Sequence, residues 1–255
     1  TYQLDTDMDY RAIVTNLGSN SASRQQVTVT IPEGFTVQQI FERLEEYGVS
    51  TAERLNEMAA THDYAFSFLQ EIPLGDPNRL EGYLFPDTYD FYMGEDPKTA
   101  INKMLVNFDR RYTDEMREET TEMGYTVRDI VIIASMIERE TDGTDRATIA
   151  SVIYNRLNNT SAETVGMLGV DATLVYALGR PITQADYTAD TPYNTYTNQG
   201  LPPGPISNPG MESINAAMNP EDTNYYYYAL GSDGKHQFFR TLAEQQAFIA
   251  QQRGE

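Results

Sequence analysis

The sequence predicts an α+β protein: a strand with two capped helices first, a mainly helical stretch next, and a C-terminal β-hairpin last. Three observations carry this. Val27, Val29 and Ile31 alternate with Thr28 and Thr30, the period of a strand with one buried face. Helix starts follow, with Ser or Thr three positions before Gln, Glu or Asp at the head of runs with helical spacing. Near the end, Tyr225 to Leu230 and His236 to Arg240 flank Gly231-Ser232-Asp233-Gly234, which is hairpin composition.

Taken in order, residues 1–26 read as a polar N-terminal extension in which only Tyr10 to Thr15 has strand character. After the strand at 27–31, Pro32-Glu33-Gly34 is a turn. Thr36 and Gln39 make a capping box for a helix with Val37, Ile40, Phe41 and Leu44 on one face, closed by Gly48. Ser50 and Glu53 repeat that spacing and open a second helix through Leu55 and Met58. Residues 80–91, LEGYLFPDTYDF, are aromatic and broken by Pro86, so they read as extended chain with a turn. Asp96-Pro97 is an N-cap with proline at the first helical position, and the helix behind it is expected to run to about Gly124. Thr126 and Asp129 start a helix over Val127 to Thr141, and further helices cover Arg146 to Leu157 and Ala172 to Leu178, the last closed by Gly179. Arg180 to Gly210 has no periodicity and six prolines, the mark of a functional loop or a linker. A short helix from Pro209, the hairpin, and a last helix capped by Thr241 and Glu244 complete the chain.

Composition excludes several functions. The 255 residues carry 18 Lys and Arg against 38 Asp and Glu, and a net charge of −20 argues against binding nucleic acid or anionic lipid. An apolar share of 40 % fits a globular core, yet no run of about 18 apolar residues is present to span a membrane. The chain opens at Thr1 without a signal-peptide pattern, as a processed or trimmed piece would. With no cysteine and only His62 and His236, thiol chemistry and a His-rich metal site are ruled out within the chain. A carboxylate is the catalytic group to look for, with no cofactor and no metal.

The helix DIVIIASMIERET, residues 129–141, holds the most informative one. At about 100° per residue, Glu138 falls on the apolar stripe of Ile130, Val131, Ala134 and Ile137, whereas Arg139 and Glu140 fall off its centre. A carboxyl on a buried face is disfavoured in its charged form, as a general acid requires. The competing reading pairs Glu138 with an arginine such as Arg156. In the long loop, Tyr193-Asn194-Thr195-Tyr196 offers aromatic faces and polar groups suited to a sugar ring; otherwise it is a proline-stiffened loop packed on the core. His236 either meets a substrate or sits on a strand, and His62 reads as a surface residue.

Several stretches together resemble one family. LEGYLFPDTYDF (80–91), IIASMIERET (132–141), SVIYNRL (151–157), DATLVYALG (171–179), PYNTYTNQGLPPGPISNPG (192–210) and DGKHQFF (233–239) occur in the order seen in the YceG-like (MltG) family of bacterial endolytic murein transglycosylases. The resemblance spans about Gln26 to Phe248. It implies a LysM-like peptidoglycan-binding subdomain over 27–80 and a YceG-like catalytic domain over 81–255. It also implies scission of the bond between N-acetylmuramic acid and N-acetylglucosamine without water, leaving 1,6-anhydro ends. By the same resemblance Glu138 is the acid and then the base, and Glu81, Asp171, Tyr193, Asn194, Thr195, Tyr196 and His236 line the cleft as substrate contacts. Peptidoglycan strands are the implied partner, with cell-wall synthesis proteins as further ones; a degenerate relative that binds without cutting is the alternative. The family's N-terminal membrane helix is not among these residues, so an anchored protein facing the cell wall is expected. One departure stands out: where the family commonly has Leu-Gln-Ser/Thr-Asp-Pro-Thr, this chain has Leu168-Gly169-Val170-Asp171-Ala172-Thr173.

Overall fold

The computed structural model describes residues 25–141 and 143–254; the strand expected at 10–15 lies outside them. β1 (Gln26–Thr30) is followed by α1 (Val37–Glu46) and α2 (Ala52–Thr61). The chain then returns as β2 (Thr88–Tyr92), antiparallel to β1, with Val27 opposite Phe91 and Val29 opposite Tyr89. This sheet therefore crosses residue 80, and a unit that ends there lacks its second strand. Alternation in both strands turns Val29, Tyr89 and Phe91 inward, where they meet Val37, Ile40, Phe41 and Leu44 of α1 in the core. Thr36 and Gln39 form the expected capping box. The second helix is capped by Thr51 rather than Ser50, whose hydroxyl is buried without a partner among the described residues.

The expected single helix from Pro97 to Gly124 is two helices, α3 (Pro97–Arg111) and α4 (Asp114–Glu122). Tyr112 ends the first, and the Thr113 side chain accepts the Met116 N–H to begin the second. Asp114 and Glu115 in its first turn complement the positive helix end.

α5 (Val127–Glu140) is the central post, with every residue from Ile130 to Ile137 buried. Each large aliphatic side chain buried there contributes about 1.5–3 kcal/mol. Packed on it are α6 (Arg146–Asn158), α7 (Asp171–Leu178) and α8 (Met211–Met218). β3 (Tyr227–Leu230) and β4 (His236–Phe239) form the hairpin, covered by α9 (Leu242–Arg253).

The proline-rich stretch before α8 is mostly irregular, with one 3-10 turn at Gln184–Thr188, but it is firmly pinned. Ile206 N–H donates to Ser135 Oγ at 3.0 Å, and the Ser207 hydroxyl donates to the Ser135 carbonyl at 3.2 Å. Asn208, fully buried, accepts the Leu84 N–H at 2.8 Å and donates to the Phe35 carbonyl and to Glu81 Oε1, both at 2.9 Å. One amide thus ties together the first unit, the 80–91 stretch and the long loop. The buried apolar residues of all these parts form one continuous cluster.

Candidate active site

The last turn of α5 projects Glu138, Arg139 and Glu140 in three directions. Glu138 is half-buried and accepts the Gly210 N–H at 3.0 Å. Beside it stands Glu33 from the turn after β1: a Cβ on Gly210 would fall 1.8 Å from Glu33 Oε1, so a side chain there has to push this carboxylate aside. Burial and then the charge of Glu138 raise the Glu33 pKa, with Arg146 pulling it down and Glu212 adding to the rise. The sequence shows Glu33 only as a turn residue between proline and glycine, and nothing in that pattern marks it as part of a site.

Glu140 has different surroundings. Its Oε2 accepts the Tyr228 hydroxyl proton at 2.7 Å, and the Ala172 backbone N–H at the start of α7 also reaches it. Burial raises its pKa and the neighbouring Asp171 adds to this, while Tyr228, His236 and the Ala172 N–H pull it down; the net direction is up. Asp171, at the exposed rim, accepts the hydroxyl of Tyr196 and, at 3.3 Å, that of Tyr187. His236 Nδ1 lies 2.7 Å from Asp145 Oδ2, with its ring edge-on to Tyr228. Arg156, buried behind this group, donates to the carbonyls of Leu168 and Tyr226, so it is not the partner of Glu138 that sequence allows.

Glu81 lies apart from both. It is 3 % exposed and accepts the Val37 N–H at the start of α1, the Asn208 amide at 2.9 Å and the Tyr176 hydroxyl at 3.2 Å. Burial pushes its pKa up to about 8 against the pull of those donors. It lines a cavity of about 1050 Å³ together with Tyr176, Tyr193 and Ala172. Ala172, whose N–H also reaches Glu140, and Arg139, which stands between the two acids on α5, are on the cavity wall, whereas Glu138 and Glu140 are not. Tyr193 packs on Tyr176 with ring centroids 5.2 Å apart.

Two expected substrate contacts, Asn194 and Thr195, are buried in the protein. Asn194 is fully buried: its amide donates to the carbonyls of Tyr187 and Ala189, and its oxygen accepts the Tyr196 N–H. Thr195, 2 % exposed, accepts the Val170 N–H at 2.9 Å. Both shape the loop, and the side-chain polar groups of both are bonded within the protein. The structure also brings Asp171, Tyr196 and His236 around Glu140 rather than around Glu138. Gly169 adopts a left-handed φ of +57°, and a Cβ there would lie 3.2 Å from Arg156 Nη1 and 3.4 Å from Tyr196 Cε1. A glutamine at 169 would have to displace both neighbours. Among the described residues no group of three or more His, Cys, Asp or Glu is placed to hold a metal ion, and no helix among them is long and apolar enough to cross a membrane.

The site thus combines raised-pKa carboxyls, aromatic walls and a cavity in an α+β fold. The model of the YceG-like family matches residues 1–251, and the chain belongs to that family. It is 33 % identical over 259 residues to the endolytic murein transglycosylase of Bacillus subtilis (strain 168), covering 95 % of this chain and 69 % of that protein. It is 31 % identical over 263 residues to the endolytic murein transglycosylase of Streptococcus pneumoniae serotype 2 (strain D39 / NCTC 7466), covering 92 % of this chain and 47 % of that one. The chain thus spans about half the length of the streptococcal relative. A yceG-like protein of Listeria monocytogenes, known from a crystal structure, superposes with a TM-score of 0.75 at 32 % identity, covering 96 % of this chain and 83 % of that one. Kinship of this extent puts the chain among enzymes.

Proposed function

We propose that this chain is an endolytic lytic transglycosylase of peptidoglycan and that Glu140 is its single acid and base. The observation that supports this most is the convergence on Glu140: its pKa is raised by burial, and Tyr228 and the Ala172 N–H fix its carboxyl beside Asp171, Tyr196 and His236. The Glu140 proton goes to the glycosidic oxygen as the C1–O bond between muramic acid and glucosamine breaks. The carboxylate then takes the proton of the muramic acid C6 hydroxyl as that oxygen bonds to C1. The product is a 1,6-anhydro end, no water is consumed, and Glu140 finishes protonated as it began. An intramolecular nucleophile needs no second carboxylate to activate water, and its proximity replaces a bimolecular encounter.

Tyr193 and Tyr196 offer sugar rings their aromatic faces, and Asp171 and His236 bound the cleft on either side. The β1–α1–α2–β2 unit supplies a second glycan contact, with its boundary after Tyr92 rather than at residue 80. The substrate lies outside the cytoplasmic membrane, and so does this domain. Glu138, the carboxylate that its helical position favours, is the competing acid, since its neighbour Glu33 gives it a carboxylate partner.

Digestion of purified peptidoglycan followed by mass analysis tests the reaction class. Anhydro ends support the reading. Reducing ends mean an ordinary hydrolase, and no product means a module that only binds.

A further inference from the structure

The cavity that shares Ala172 with the Glu140 cluster is lined by arginines in a protein whose net charge is −20. Arg79, Arg128 and Arg139 share it, and none of the three has a carboxylate within ion-pair distance among the described residues. Their hydrogen bonds go to backbone carbonyls: Arg79 to His62 and Ile72, Arg128 to Pro203, and Arg139 to Gly34. Arg79 is 4 % exposed, and its Nε is buried without any partner. Arg180, also on the wall, is already paired with Asp186. The acids of the cavity are the exposed Glu42 and Asp76 and the buried Glu81, which burial drives toward its neutral form.

Resting on the transglycosylase reading, we propose that this cavity binds the carboxylates of the peptide stem carried on the muramic acid lactyl group, so that the enzyme selects stem-bearing glycan over bare glycan. Two observations favour a stem over a lone phosphate. A cavity of about 1050 Å³ is many times larger than a phosphate group. Its arginines are spread over the 3-10 turn Pro77–Leu80 and both ends of α5, as an extended ligand with several carboxylates requires. Guanidinium groups read carboxylates and phosphates alike with paired N–H donors, so the size of the cavity and the spacing of its arginines decide between them. The stem hangs next to the scissile bond, so a cavity that shares Ala172 with the Glu140 cluster is where it would lie. The arginines also answer an electrostatic need, because an acidic protein otherwise repels a polymer rich in carboxylates.

The test compares intact glycan strands with strands whose stems an amidase has removed, using the full chain, and reads both cleavage and binding to insoluble peptidoglycan. Stem-bearing strands are expected to be cut on the order of tenfold more efficiently. Arg128→Gln with Arg139→Gln raises KM on them and brings efficiency down to the bare-strand level, while cutting of bare strands is unchanged. The Lys pair at the same positions restores part of the preference, which a folding defect would not allow. Equal efficiency on both substrates, or equal losses on both in the Gln variant, overturns the proposal. So does competition by inorganic phosphate at concentrations where free stem peptide has no effect. If neither substrate is cut, the transglycosylase reading fails, and the binding arm alone decides: equal binding to intact and stripped peptidoglycan overturns the stem site.

Discussion

Around Glu138 the neighbours are the turn after β1 and the start of α8; around Glu140 they are α7, the loop that carries Tyr196, and the C-terminal hairpin. The first setting is a backbone N–H and another carboxylate, Glu33. The second holds a tyrosine hydroxyl, an N–H, an acid at the rim and a histidine, and it shares Ala172 with the wall of the large cavity. Two acids two residues apart on one helix therefore differ in almost everything that decides chemistry. A helical wheel ranks them by the helix's own apolar stripe. The fold ranks them by what distant segments lay over the last turn.

The comparison predicts unequal damage on the two sides. Asn194→Ala removes the side-chain bonds that join Asn194 to the Tyr187 and Ala189 carbonyls and to the Tyr196 N–H, while the backbone bonds of the loop remain. It should cost about 3 kcal/mol in urea unfolding and slow cleavage on the order of tenfold or more, because Tyr196 and Asp171 lose their support. Normal cleavage by a destabilised Asn194→Ala variant would break the link between that loop and Glu140.

Glu81 sharpens the contrast, being more buried than Glu140 and already saturated with donors from the protein itself. Burial holds its folded pKa at about 8, against an ordinary 4.5 for glutamate. The stability it contributes is thus fully present below about pH 4.5 and is lost as pH rises through 8. Glu81→Gln should flatten that decline in a pH series of unfolding curves. An unchanged series would mean that the donors hold Glu81 ionised.

The smallest effect is expected on the Glu138 side. Gly210→Ala pushes the flexible end of Glu33 aside, at about 1 kcal/mol, and leaves cleavage within a few-fold of wild type. A rate loss as large as that of Asn194→Ala would move the chemistry toward Glu33 and Glu138.

Much of the fold is legible because it is locally encoded. Thr36 with Gln39, Thr126 with Asp129 and Thr241 with Glu244 all form the capping boxes that their spacing predicts, and Gly231 to Gly234 turns the hairpin. The break at Tyr112 is missed because apolar spacing hides a plain cap signal, Thr113 before two acids. The pairing of β1 with β2 is missed because their partners lie about sixty residues apart. In the site, motif composition marks the Tyr193–Tyr196 loop but cannot tell which polar groups face inward. Asn194 has the residue type for a sugar contact and the burial of a structural staple. The neighbours that set Glu140 apart come from residues 171, 196, 228 and 236, and no local pattern places them together.

Which carboxylate cuts is decided by assaying anhydro-end formation from peptidoglycan with Glu138→Gln and Glu140→Gln side by side, each checked for folding. Loss on the order of 10²-fold or more for Glu140→Gln, with Glu138→Gln within about tenfold of wild type, is the predicted result. Near-normal cutting by Glu140→Gln beside a dead Glu138→Gln would contradict it and return the acid to the apolar face of α5.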